Sequence, residues 1–227
     1  MKMARISMVA LLGALAISTP AVASAQNETE RVDRTVSIRA GGELKIKNFS
    51  GKVTITGSRR GDVAVHAIRR APRERLDHIK LEITETSSGV TIEANKKDSE
   101  WRDRNNNVVD TELEIQVPQD VTLDIDAFSS EVRVTDVHGK QKLKTFSGDI
   151  EVNGAEGSLN AETFSGDIEL KLAPSVGGRV NFSSFSGSLD GTVVTRSSNR
   201  RNVTGDIGNA NGNDYQFKTF SGDVRIR

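Results

Sequence analysis

Phe146-Ser147-Gly148-Asp149-Ile150 returns eighteen residues later as Phe164-Ser165-Gly166-Asp167-Ile168, and again near the end as Phe220-Ser221-Gly222-Asp223-Val224. Looser copies stand at Phe49-Ser50-Gly51-Lys52-Val53, Phe128-Ser129-Ser130-Glu131-Val132 and Phe185-Ser186-Gly187-Ser188-Leu189. With Val203-Thr204-Gly205-Asp206-Ile207 filling the one wide gap, the spacings from Phe128 are 18, 18, 21, 18 and 17 residues. A fixed period of this length marks a stacked repeat architecture. The three extra residues before Phe185 fit a small insertion around Pro174 to Gly178.

Every copy has the same grammar. An apolar residue stands three before the Phe position: Ile46, Ile125, Leu143, Ala161, Phe182 and Phe217. Ser-Gly makes a tight corner, because glycine reaches positive φ without steric cost. A strand of period two follows, as in Ile150/Val152, Ile168/Leu170 and Val224/Ile226. Positions three before and four after the Phe are therefore expected to point inward, with the Phe at the bend. A rung of about 18 residues cannot bury its own apolar face, but stacked rungs bury a continuous one. An antiparallel sandwich with recurrent hairpins is the alternative, and it fits less well, because two-residue hairpins favour Asn-Gly or Asp-Gly. The expected fold is all-β: a β-solenoid, with Phe49, Phe128, Phe146, Gly148, Phe164, Gly166, Phe185, Gly187, Gly205, Phe220 and Gly222 as its structural repeat. Six rungs from position 128 onward would stack to a height on the order of 30 Å.

Residues 26–120 are looser. Alternating pairs such as Val36/Ile38, Leu44/Ile46, Val53/Ile55, Val63/Val65 and Leu81/Ile83 read as strands. Copies of the repeat there are faint, as at Gly61-Asp62-Val63 and Ser88-Gly89-Val90. One domain over residues 26–227 is expected, with 26–120 an irregular capping part and 121–227 the regular rungs. Stacks need such caps, because an open sheet end invites aggregation.

Residues 1–25 read as a cleavable export signal. Lys2 and Arg5 precede the apolar run Ile6 to Ile17, and Ala23-Ser24-Ala25 supplies the small-x-small cleavage pattern. That run of twelve residues, apolar apart from Ser7 and Gly13, falls short of the roughly 20 that span a bilayer. A periplasmic or secreted protein is expected, with no transmembrane segment after cleavage. The chain has no cysteine, so its stability comes from its core. Lys and Arg total 31, as do Asp and Glu. A near-neutral chain has no global field for nucleic acid, and eight Phe, one Trp and one Tyr offer few base-stacking platforms. Nucleic acid is not an expected partner.

Val117-Pro118 closing one strand, Val121-Thr122-Leu123-Asp124-Ile125 after it, and the Phe-Ser-Gly-Asp-Ile series together resemble a bacterial family, the "putative adhesin" (LiaG-like) domain of unknown function. The likeness covers most of the chain beyond the signal and is strongest from Leu113 to Lys171 and from Lys218 to Arg227. It implies a right-handed β-helix-like solenoid in the cell envelope, and the family has no conserved active site to carry over.

Asp149, Asp167, Asp206 and Asp223 form a candidate column. Carboxylates on adjacent rungs could share Ca²⁺, but each is more simply expected to cap its own turn. Ser188 interrupts the column, and the expectation is no metal and no cofactor. The Phe column is expected to pack in the core or corner; the alternative is an exposed aromatic strip that binds sugar rings. Thr145, Thr163, Thr219 and Ser184 make a neighbouring hydroxyl column, expected to serve as strand formers rather than as a binding face. His66, His78 and His138 are too scattered to hold a metal. No Ser-His-acid set is gathered, and no carboxyl pair is singled out for glycoside hydrolysis, so the protein is expected not to be an enzyme. Basic clusters at Arg59-Arg60, at Arg69-Arg70 with Arg73 and Arg75, and at Arg196 with Arg200-Arg201 are expected to be solvated surface rather than polyanion sites. The expected function is adhesin-like binding of a cell-surface glycan, surface polymer or envelope protein on one solenoid face. A scaffold for other proteins is second, and a polysaccharide-active β-helix enzyme third.

Overall fold

The structure, a computed structural model, describes residues 27–102, 108–199, 201–208 and 212–227. The export signal expected at residues 1–25, with its expected cleavage site after Ala25, lies outside the described residues, as does part of the polar stretch after Lys96. Among the described residues are seventeen strands and one short helix, α1 (Arg73–His78), which begins directly after Pro72.

The repeat builds two sheets that face each other across one core. Strands before the corners are β8 (Gln141–Ser147), β10 (Leu159–Ser165), β12 (Gly178–Ser186) and β16 (Asn213–Ser221). Strands after the corners are β9 (Ile150–Ala155), β11 (Ile168–Leu172), β13 (Leu189–Gly191) and β17 (Val224–Ile226). Two long strands, β2 (Glu43–Ser58) and β7 (Thr122–Thr135), run through the corner and belong to both sheets. Pairing along the stack is parallel and residue-for-residue: Ala161 lies beside Leu143 and Phe217, and Ile168 beside Ile150 and Val224.

The inward positions are as the grammar requires. Ile46, Ile125, Leu143, Ala161, Phe182 and Phe217 are buried on one sheet, and Val53, Val132, Ile150, Ile168 and Val224 on the other, in one continuous cluster. Volume is complementary between neighbours, with the small Ala161 beside the large Phe217. Corners need glycine for close approach. A Cβ on Gly148 would stand 2.2 Å from the Ser130 carbonyl oxygen, and one on Gly166 would stand 2.3 Å from that of Gly148. Both residues also have positive φ, 157° and 155°.

The stack does not follow chain order. β16 inserts between β10 and β12, so the last Phe rung lies inside the Phe185 rung. The segment expected as a further rung is instead β15 (Asn202–Ile207), which pairs antiparallel with β12 and with β14 (Val194–Ser198). Gly205 is therefore not a corner of the repeat. Thr-Gly-Asp-Ile matches the motif, but without a Phe it supplies no ladder residue, and it serves a hairpin at the end of the stack.

At the other end, 79 residues separate Phe49 and Phe128 in the chain, yet β2 lies directly beside β7. The intervening chain supplies one more parallel rung, split between β5 (Gly89–Lys97) and β6 (Asp110–Pro118), with an insertion where its corner would be. Antiparallel strands follow: β3 (Asp62–Pro72) on β6, β1 (Asn27–Ser37) on β3, and β4 (Ile79–Glu85) on β5. No helix among the described residues is long and apolar enough to cross a membrane.

Candidate functional site: a phenylalanine ladder

The ladder begins with strand parity. The residue three before each Phe points inward, so the Phe itself points out. All six rings, Phe49, Phe128, Phe146, Phe164, Phe220 and Phe185 in stack order, are 42–55% exposed. This corrects the expectation of core packing: the rings stand at the corner, on the outer face of the sheet.

They stack on one another with centroid separations of 4.6 to 4.9 Å and interplanar angles of 2° to 14°. The ring spacing is the strand spacing, so the sheet sets the ladder. Five steps make a strip about 24 Å long. Arg201 covers the terminal ring, its guanidinium carbon 4.6 Å from the Phe185 centroid, a cation–π contact. Asn95 stands at the corresponding place beyond Phe49.

Beside the rings runs a trough of about 820 Å³. Its floor is the outward residue two before each Phe, and two before Asn95 on the rung beyond Phe49. In stack order these are Glu93, Lys47, Asp126, Lys144, Glu162, Lys218 and Ser183, fixed by strand register. Their signs alternate. Lys144 and Glu162 pair at 3.0 Å. Burial opposes ionisation of Glu162, but Lys144 with Asn160 holds its carboxyl below the usual range.

The hydroxyl column turns away from this face. Thr145, Thr163, Thr219 and Ser184 are buried. Thr145 donates to the Ser130 and Phe128 carbonyls, and Thr163 to that of Gly148. These hydroxyls satisfy corner backbone.

The aspartate column is also structural, in a different way from the one expected. Asp149 Oδ1 accepts the Asp167 N–H at 2.8 Å, and Asp167 Oδ1 accepts the Asp223 N–H at 2.9 Å. Asp223 Oδ1 takes the Ser188 N–H and hydroxyl, both at 2.8 Å. Each carboxylate thus caps the next rung's corner rather than its own. Those bonds from Ser188, helped by Arg225, hold the Asp223 carboxyl below its usual range. Asp206 lies outside the column, in β15, where it pairs with Arg196. Among the described residues no three His, Cys, Asp or Glu gather to hold a metal ion.

The basic clusters are largely neutralised. Arg60 pairs with Asp62, Arg70 with Glu112, and Arg73 with Asp77. Arg69 is buried and pairs with Glu30. His66, His78 and His138 each face a different acid.

Residues 121–227 match the family model described as Toastrack DUF4097. A search of the curated proteins finds no match. Among solved structures, a putative cell adhesion protein from Clostridium sporogenes shares the fold. Its TM-score is 0.66, over 88% of this chain and 99% of its own, at 11% identity. A putative adhesin from Bacteroides fragilis aligns over 87% of this chain and 97% of its own at 12% identity, with a TM-score of 0.32. Through residues 121–227, just under half of its length, the chain is similar to the Toastrack DUF4097 family of domains of unknown function.

Proposed function

We propose that this is an exported, non-enzymatic, adhesin-like protein of the cell envelope, and that the phenylalanine trough is where it binds a surface polymer. One observation carries the reading: six Phe rings stand in register on an outer face, where the fold asks for nothing apolar. Inward burial and glycine corners explain the other repeated positions. A contiguous exposed apolar strip of this kind marks an interaction site.

The resemblance to adhesins and the leader-like residues 1–25 support the envelope address. The right-handed winding of the solenoid and the capping role of residues 26–120 are part of the same proposal. The shifted carboxyls, Asp98, Glu112, Glu151, Glu162 and Asp223, are all lowered. A glycosidase acid needs a raised pKa, and none of these five carboxyls is such an acid.

The test is binding of the purified protein, with and without Ca²⁺, to an array of glycans and envelope polymers, repeated with Phe146→Ser/Phe164→Ser. Saturable binding lost in the variant supports the site. Binding that survives in the variant would place the site elsewhere. Loss on removing Ca²⁺ would return the aspartate column as a metal site.

A further inference from the structure

We infer that the trough takes a neutral, linear, polyhydroxylated chain, a glycan lying along the stack with about one sugar residue per rung. This rests on the proposed role of the ladder as the binding site and names the ligand class.

Glu93, Lys47, Asp126, Lys144, Glu162 and Lys218 alternate in sign at the rung spacing. A polyanion drawn to the three lysines meets three carboxylates of the same period, so complementarity cancels. An acyl chain would strip water from all six charges without replacing its hydrogen bonds. A sugar hydroxyl both donates and accepts. A row of hydroxyls can therefore give to each carboxylate and take from each ammonium.

The rings stack face to face along the ladder. Neighbours occupy their faces, and Arg201 occupies the terminal face of Phe185. What faces solvent is mainly the C–H edge, the positive end of the ring quadrupole. Such an edge suits ligand oxygens, and disfavours cations that need an open face.

In an extended β-linked hexose chain each ring advances the chain by close to the rung spacing of about 4.8 Å. An extended peptide repeats its side chains on one face every 6.6 Å or so, which loses register within two rungs. A strip of about 24 Å holds about five sugars.

The experiment is calorimetric titration of the purified protein with β-1,4-linked glucose and N-acetylglucosamine oligomers of increasing length. Polyuronate oligomers and an extended apolar peptide serve as the other arms. Affinity for a neutral oligomer should rise with length and level off near five residues. It should change little between about 50 and 500 mM salt. It should fall at least about tenfold in Phe146→Ser and in Phe164→Ser, each checked for cooperative melting. Glu162→Lys should weaken the neutral ligand and strengthen polyuronate. Steeply salt-dependent polyuronate binding, or peptide binding, that is lost in the Phe variants would overturn the neutral ligand while leaving the trough as the site. Binding untouched by either Phe variant, or none in any arm, overturns both.

Discussion

In each rung the strand before the corner buries Leu143, Ala161 or Phe217, and the strand after it buries Ile150, Ile168 or Val224. Inside, the two sheets follow one rule. Outside, they part. The sheet after the corners shows Arg133 between Glu131 and Glu151, and Glu169 between Lys171 and Arg227. The sheet before the corners shows the Phe ladder. Both outer faces solve the same problem of like residues stacked about 4.8 Å apart, and paired charge is enough. The ladder is therefore an addition to the fold rather than a condition of it.

The comparison breaks most severely where both sheets depend on one residue. Gly148→Val puts a side chain where the Ser130 carbonyl oxygen leaves 2.2 Å, at a φ that valine rarely adopts. A loss of at least about 2 kcal/mol is expected, read as a fall in melting temperature with both sheets affected. An unchanged melt would remove the corner from the account.

The outer Phe face should respond less in stability and more in binding. Phe146→Ser removes two stacked pairs, each worth about 0.5–1.5 kcal/mol, from a half-exposed ring. A stability cost of about 1–3 kcal/mol is expected, with most of the ligand affinity gone. A much larger cost with ligand affinity intact would make the ladder a structural spine and erase the contrast between the faces.

How far the sequence carries this contrast depends on the residue. The inward columns and glycine corners follow from period and steric need, and both are legible. The exposure of the Phe was legible too: a residue three after an inward position on one strand must face outward. Aromatic chemistry argued for the core, and parity overrode it. The charge alternation was hidden. In chain order the residues two before each Phe end Glu162, Ser183, Lys218, which breaks the pattern. Only the insertion of β16 between β10 and β12 restores it, and that non-local choice is settled by packing Phe217 between Ala161 and Phe182. Val203 to Ile207 misled for the opposite reason, a local match with antiparallel pairing.

At the corners joining the two faces, the aspartates add a pH dependence. Hydrogen bonds from Ser188 lower the Asp223 carboxyl below 3.8. A depressed carboxyl stabilises the fold above its ordinary value, and that contribution is lost as pH falls through the lower folded value. Melting temperature should therefore drop as pH goes from about 5 toward 3. Asp223→Asn should lower the neutral-pH melt slightly and flatten that slope. An identical slope in the variant would deny the inter-rung cap a role.

The smallest effect is expected on the charged outer face. Arg133 lies 2.7 Å from Glu151 and 3.0 Å from Glu131, all partly exposed. Exposed pairs contribute about 0–1 kcal/mol, because solvent screens them and ordering long side chains costs entropy. Arg133→Ala leaves two carboxylates on neighbouring strands, a modest repulsion in water. Its melting temperature should fall by no more than a few degrees, and its binding should match that of the unaltered protein. That pairing of results is the sharpest form of the contrast. Both Arg133 and Phe146 stand outside their sheets, yet only the Phe should matter to a ligand. A loss of binding in Arg133→Ala comparable with that of Phe146→Ser would mean that the ligand wraps the corner and touches both faces.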